Sequence, residues 1–280
     1  VTTIRDALQQ AAARLTPRSP SPRLDAEALL AHVLQRSRAW LLAESQQPLT
    51  PAQQASYAAL IERRAALEPV AYLTEHKEFY GLDFYVDRRV LVPRPETELL
   101  IELALQWAGA ARPQPLSIAD IGTGSGCLAV TLALRLPQTR VFAVDLSADA
   151  LAVAAINVER HAVGERVALL QGDGCMPLPQ PVSLIVANPP YTVLDEVDEN
   201  VRRWEPHLAL DGGAERGFAA VERLLRQMPG ALEPHGAALI EIGAWQGAQA
   251  RQAAQTIFAD AQIRLHQDLA GLDRALAVYT

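Results

Sequence analysis

The chain has 280 residues and a formal net charge of −7, and half of it is apolar, the composition of a globular protein long enough for one small domain and another of near 200 residues. The acidic balance disfavours a protein that grips a nucleic-acid backbone, and no run of 18 uninterrupted apolar residues argues for a membrane span. Two cysteines, six scattered histidines, no CxxC or HxxxH spacing and no signal-peptide pattern point to a reduced, cytoplasmic protein without a metal site.

In chain order, Thr3 to Leu15 places Ile4, Leu8, Ala11, Ala12 and Leu15 on one helical face. Ser21-Pro22 reads as an N-cap followed by proline at the first helical position, opening a helix whose apolar residues are Leu24, Ala28, Ala31 and Leu34. A short helix is expected over Arg38 to Ala43, and the capping box Thr50-Pro51-Ala52-Gln53 opens a long one to about Leu67. Residues 1–75 thus form a small helical bundle, either a stabilising cap or a surface that receives a substrate. Residues 76–95 follow as a connector, with a β-hairpin over Glu78 to Val92 turning at Gly81 and packed against the ligand pocket. Pro95 starts a helix over Glu96 to Trp107. From there to the end, residues 96–280 alternate strand and helix. The last strands, Ile263 to Asp268 and Ala275 to Tyr279, are joined by too short a loop to be anything but antiparallel.

Chemistry concentrates where strands end. The strand Leu116 to Ala119 runs into Asp120-Ile121-Gly122-Thr123-Gly124-Ser125-Gly126, and a helix follows from Cys127. Strand, glycine turn and helix open a nucleotide-binding fold. The alternate GxGxG spacing lacks the third glycine of a dinucleotide fingerprint, since Cys127 stands there. It suits a ligand without phosphates, whose amino group Asp120 can meet. The next strand, Arg140 to Asp145, ends in a carboxylate placed to grip both ribose hydroxyls. Ser147 caps the helix after it. The strand Val167 to Gln171 leads to Asp173 and Gly174, where Asp173 can accept from an adenine amino group. Each carboxylate alone reads more often as a loop or cap residue than as a ligand contact. Three at successive strand ends point to S-adenosylmethionine.

After the apolar run Leu184 to Ala187 comes Asn188-Pro189-Pro190-Tyr191. Such a sequence can be a plain turn. It can also be a device: two prolines have no N–H and a fixed φ, leaving carbonyls free to point into a cavity beside the Asn188 amide oxygen. Two acceptors so placed hold a planar NH₂ by both hydrogens and aim its lone pair outward. Pro190 and Tyr191 would form apolar walls.

The glycine loop and Asn-Pro-Pro-Tyr, in this order, resemble those of the HemK-type release-factor glutamine methyltransferases. So do Pro69 to Thr74, Glu78 to Gly81, Val90 to Glu98, Glu205-Pro206, Ala209-Leu210, Gly212-Gly213, Glu241 to Gly243 with Gln246, and Asp268 to Arg274. The resemblance implies an α/β class I S-adenosylmethionine-dependent methyltransferase fold, a doubly wound sheet with an antiparallel last strand. It implies methyl transfer to the glutamine of the Gly-Gly-Gln motif in class 1 peptide chain release factors. On that reading Asn188 is catalytic; Asn188, Pro189, Pro190 and Tyr191 hold the substrate; and Asp120, Gly122, Thr123, Gly124, Ser125, Gly126, Asp145, Asp173, Gly174 and Asn188 hold the cofactor. The chain departs from the family pattern at Glu75, where glycine is usual; at Ser183, where aspartate is usual; at Gly174, where a larger residue often stands; and in an extra residue before Gly217. A glutamine methyltransferase of a large-subunit ribosomal protein, a DNA adenine-N6 methyltransferase and a non-catalytic binding module remain alternatives. No direct nucleic-acid or membrane partner is expected.

Overall fold

The computed structural model describes residues 2–110 and 115–280, which fall into two compact units, Val1–His76 and Lys77–Thr280. The first unit holds α1 (Ile4–Leu15), α2 (Pro22–Leu34), α3 (Arg38–Ala43), α4 (Pro51–Ala65) and the short α5 (Val70–Thr74). The Thr50 hydroxyl accepts from the Gln53 N–H while Gln53 accepts from the Thr50 N–H, which is the expected capping box. α4 stops at Ala65 rather than Leu67 because Leu67 lies in left-handed backbone at φ 72°. Glu75 does the same after α5, at φ 53°, a conformation that glycine adopts at less cost.

The buried face of α2 is not the one its apolar residues suggest. Ala26, Leu29 and Leu30 are buried together with Asp25 and Glu27, whereas Leu24 is 46% exposed. α2 carries apolar residues on more than one side, so the pattern does not select a face. Ion pairing does. Arg64 donates to Asp25 at 2.7 Å, and Arg23 and Arg38 each reach Glu27 at 2.8 Å. Paired in this way, the two carboxylates turn inward.

The second unit begins with β1 (Lys77–Phe79) and β2 (Leu82–Phe84), a hairpin much shorter than expected. It ends at Phe84 because the N–H and carbonyl of Tyr85 are both taken by the Asn157 side chain, at 2.7 and 2.9 Å. Pro95 opens a 3-10 turn, Pro95–Thr97, before α6 (Glu98–Ala108). Then follow β3 (Ser117–Ile121), α7 (Cys127–Arg135), β4 (Arg140–Asp145), α8 (Ala148–Arg160), β5 (Val167–Gln171), β6 (Val182–Ala187), α9 (Glu199–Trp204), a kinked turn α10 (Ala214–Gly217), α11 (Ala219–Gln227), β7 (Leu232–Glu241), α12 (Gly247–Ile257), β8 (Gln262–Gln267) and β9 (Asp273–Tyr279).

The seven strands lie in the order β5-β4-β3-β6-β7-β9-β8. The pairs from β5 to β7 are parallel, and β9 runs antiparallel to both its neighbours. Alternate residues serve opposite faces: Ile118, Val141, Leu184 and Leu239 pack with α6 and α7, and Ala119, Phe142, Ile185 and Ile240 with α11 and α12. Both faces being covered explains strands that are apolar throughout. Chain order reverses between β3 and β6, and in such sheets the crevice beyond the carboxyl ends at that point receives ligands. Ser183 lies at the other end of β6, where its hydroxyl donates to Glu233 at 2.8 Å, so that departure is remote from the crevice.

Asp25→Ala leaves the Arg64 guanidinium, 12% exposed, without its partner. We expect urea unfolding to show the helical unit destabilised by about 3 kcal/mol. Leu24→Ala should cost less than about 0.5 kcal/mol. The reverse ranking would restore the face suggested by the apolar pattern.

Candidate functional site

The crevice begins in the loop after β3. Gly122 and Thr123 both donate to the Val144 carbonyl, at 2.8 and 2.9 Å, and Gly124 donates to Asp145 Oδ2 at 2.8 Å. The loop is thereby tied to the end of β4. Gly126 sits at φ 80°, and a Cβ there would meet the Ala154 Cβ at 3.3 Å, so glycine lets α7 start close against α8. Asn157, wholly buried, donates to the Ser125 carbonyl at 2.8 Å as well as to Tyr85, joining loop and connector. Further along the connector, Val92 N–H and the Arg94 guanidinium both donate to buried Glu205, at 2.9 and 2.6 Å.

β6 delivers Asn188-Pro189-Pro190-Tyr191 to the same edge. The Asn188 Nδ2 donates to Thr97 Oγ1 at 3.0 Å, Thr97 Oγ1 donates to Glu241 Oε2 at 2.7 Å, and the Tyr191 hydroxyl donates to Glu241 Oε1 at 2.9 Å. Among the described residues no donor reaches Asn188 Oδ1. Tyr191 is held at its carbonyl too, by Gln246 Nε2 at 3.1 Å. Gly217, at φ 82°, packs its backbone on that carbonyl, where a Cβ would come within 2.3 Å.

A cavity of about 220 Å³ lies between these segments. Of the residues expected at the site, Gly122, Thr123, Gly124, Ser125, Asp145, Asp173, Gly174, Asn188, Pro189 and Pro190 line it, whereas Asp120, Gly126 and Tyr191 do not. Asp120 misses the wall because β3 continues to Ile121 and pairs Asp120 with Ala143 and Val186. Its carboxylate is fully buried behind the loop, accepting from the Thr123 hydroxyl at 2.6 Å and the Ala129 N–H at 3.0 Å, with Oδ1 unpartnered. It braces the loop from behind. Gly126 packs α7 against α8, and Tyr191 is anchored through its hydroxyl and its carbonyl. The space that a side chain at Gly174 would occupy is filled by Gln227 Oε1, 2.0 Å from the position of a Cβ, which accepts from the Cys175 N–H at 2.7 Å.

Sequence reading missed Thr97, Arg94 and Gln227 as lining residues and Glu241 behind them. Glu241 carried the signal that singled out Asp145, a carboxylate closing an apolar strand. Thr97 stands in the family-like segment Val90 to Glu98, which gave it no role; nothing local marks Gln227.

Burial raises the carboxyl of Asp145, against which the N–H groups of Ser147 and Gly124 pull. Each of its oxygens gives one lone pair to those groups, Oδ1 to Ser147 at 2.9 Å and Oδ2 to Gly124 at 2.8 Å. The Leu146 N–H bears on the carboxylate as well, and the lone-pair capacity left over can accept from a hydroxyl of a ligand. Bare glycine backbone and this carboxylate suit the amino-acid and ribosyl parts of S-adenosylmethionine, and Asp173 its adenine. Both thiols are inert as nucleophiles, since burial pushes Cys127 and Cys175 up to about 12.

Residues 6–74 match the family model of the PrmC N-terminal domain, and residues 97–204 that of the methyltransferase small domain. The release factor glutamine methyltransferase of Bordetella pertussis is 44% identical over 263 residues, 92% of this chain and 95% of that one. Its counterpart in Moorella thermoacetica is 41% identical over 282 residues, 99% of this chain and 98% of that one. Among solved structures, the 16S rRNA N2 G1207 methyltransferase of T. thermophilus, in complex with AdoMet and guanosine, shares the fold at a TM-score of 0.54 with 17% identity, covering 73% of this chain and 49% of that one.

Burial pushes Asp120 up to about 7, with the charge of Asp145 adding to it and the Thr123 hydroxyl and Ala129 N–H opposing. A carboxyl raised in the folded state holds its proton more tightly there than in the unfolded chain, whose aspartates titrate near about 3.9. Its contribution to stability is therefore full below about 3.9 and is lost as pH rises towards 7. Without cofactor, Asp120→Asn should gain on the parent by up to roughly 3 kcal/mol between pH 4 and pH 8, apart from a pH-independent offset. Thermal melts of both proteins across that range check it, and a constant difference would contradict it.

Proposed function

This chain belongs to the release factor glutamine methyltransferases, and we propose that it transfers a methyl group from S-adenosylmethionine to the side-chain amide nitrogen, N5, of the glutamine in the Gly-Gly-Gln motif of class 1 peptide chain release factors. The observation that carries the reading is the Asn188 amide. Its NH₂ is taken by Thr97 and its oxygen is left to the cavity, beside the glycine loop and Asp145.

S-adenosylmethionine supplies, when bound, a sulfonium methyl that is already electrophilic. Asp145 would hold the ribose hydroxyls and the backbone of Gly122 to Ser125 the amino-acid part, with Asp173 near the base. The acceptor is the weak partner, because an amide nitrogen shares its lone pair with its carbonyl. Asn188 Oδ1 and the Pro189 carbonyl would each accept one amide hydrogen. That grip turns the lone pair towards the methyl and favours the positive charge that develops on nitrogen as the methyl–sulfur bond breaks; the nitrogen then loses one amide proton. Positioning of this kind is worth roughly 7–11 kcal/mol. Pro190 would keep water from the acceptor. No covalent enzyme intermediate is needed, and the thiols are not poised to form one.

The substrate is a protein and the setting the cytoplasm. Adenine N6 offers a similar planar NH₂, but a chain of net charge −7 is poorly suited to a phosphate backbone. None of the described helices is long and apolar enough to cross a membrane. A folded release factor needs more surface than one side-chain pocket, since specific protein contacts bury about 1,200–2,000 Å². We assign that role to the helical residues 1–76. Their removal, once the remaining chain is shown to be folded, should leave cofactor affinity and turnover of a short Gly-Gly-Gln peptide in place and raise KM for the intact release factor. An unchanged KM would reduce the helices to a stabilising cap.

Calorimetry and a methyl-transfer assay separate the two halves of the site. Asn188→Ala should bind S-adenosylmethionine within a few fold of the parent yet lose on the order of 10²–10³ in turnover. Asp145→Ala should weaken the cofactor by roughly 2–3 kcal/mol. Near-parental turnover of Asn188→Ala would remove it from the mechanism, and unchanged affinity of Asp145→Ala would put the ribose elsewhere.

A further inference from the structure

We propose that Glu241 is a positioning residue that decides which end of the Asn188 amide faces the acceptor, acting through the Thr97 hydroxyl. The inference rests on the reading that Asn188 accepts from the acceptor NH₂. Its basis is hydrogen-bond polarity in a buried chain of groups. Thr97 is 3% exposed and Glu241 1%, so neither exchanges partners with water. Burial raises the Glu241 carboxyl, and the Thr97 and Tyr191 hydroxyls and the charge of Arg274 pull it back towards the carboxylate; in that ionised form it can only accept, and a hydroxyl has one proton to give. Thr97 gives that proton to Glu241 Oε2. Its oxygen is then left to accept, and only the Nδ2 end of Asn188 can donate to it. Asn188 Oδ1 is turned by elimination towards the cavity.

The second oxygen of Glu241 is also engaged, by the Tyr191 hydroxyl. The residue therefore receives two hydroxyl protons, which a neutral amide cannot do. In Glu241→Gln one hydroxyl faces Nε2. The charge of Arg274, which bears on both Tyr191 and Glu241, favours the amide oxygen on the Tyr191 side and places Nε2 against Thr97. The Thr97 proton then has to turn to Asn188, whose amide reverses to accept it. An NH₂ would face the cavity and oppose the N–H groups of the acceptor glutamine. Glu241 touches neither substrate nor cofactor, so its loss should act on turnover and spare cofactor binding.

Steady-state methylation of a class 1 release factor and calorimetry of S-adenosylmethionine binding test this on Glu241→Gln, Thr97→Val, their double variant, Thr97→Ser and Asn188→Ala. Glu241→Gln and Thr97→Val should each lower kcat by about 10–100-fold with cofactor Kd within about twofold. The double variant should be no worse than the poorer single by more than about threefold, because both act through one hydroxyl. Thr97→Ser, which keeps the hydroxyl, should stay within about threefold of the parent. A kcat for Glu241→Gln within about threefold of the parent, or losses that multiply in the double variant, would overturn the proposal. Should Glu241→Gln not fold, the threonine pair decides: Thr97→Val at parental kcat overturns it. If Asn188→Ala keeps its turnover, the reading of Asn188 itself fails; if Asn188→Ala fails and Glu241→Gln does not, only the relay is wrong.

Discussion

Two adjacent prolines cannot continue a β ladder, and much of the site follows from where they stand. β6 lies between β3 and β7 in the interior of the sheet, so the chain leaving it has polar backbone to satisfy and little water to help. Pro189 and Pro190 bring no N–H to that problem. What they leave open is closed by others: Gln246 on the Tyr191 carbonyl, Glu241 on the Tyr191 hydroxyl, and the ladder-like exchange in which Thr192 donates to Leu210 and Gly212 to Thr192. Among the described residues no donor reaches Asn188 Oδ1, and Asn188 lines the cavity.

The neighbouring strands contribute by the same logic with opposite chemistry. β4 ends in a carboxylate that ties down the glycine loop with one set of lone pairs and offers the other outward. β3 carries, one residue before its end, a carboxylate turned inward that braces that loop from behind. On adjacent parallel strands the two acids hold the glycine loop from its two sides. Burial raises both, so the cofactor-free loop is held at an electrostatic cost that is greatest once the acids have lost their protons.

The legible part of this design was the part written locally. Strand, glycine turn and helix, a carboxylate at the next strand end, and asparagine before two prolines each occupy a few consecutive residues, and the cavity brings most of them together. The apolar pattern ends the strand at Ala119, whereas β3 continues to Ile121 and buries the Asp120 carboxylate within the sheet. α2 was rotated because its apolar residues fit more than one face, and the deciding interaction is with Arg64, far along the chain. Thr97 and Glu241 are separated by 144 residues, and their hydrogen bond exists only once the sheet is assembled. Local pattern finds the groups that meet a ligand; the groups that orient them belong to the fold.

The account is tested most directly by the position of the transferred methyl group. The protein would be incubated with isotopically labelled S-adenosylmethionine and, in separate reactions, a class 1 release factor, ribosomal proteins and DNA, and every labelled product mapped by fragmentation mass spectrometry. The account predicts one methyl group, on the side-chain nitrogen of the glutamine in the release factor's Gly-Gly-Gln motif. Label on a ribosomal-protein glutamine or on adenine N6, with the release factor unmodified, would contradict it.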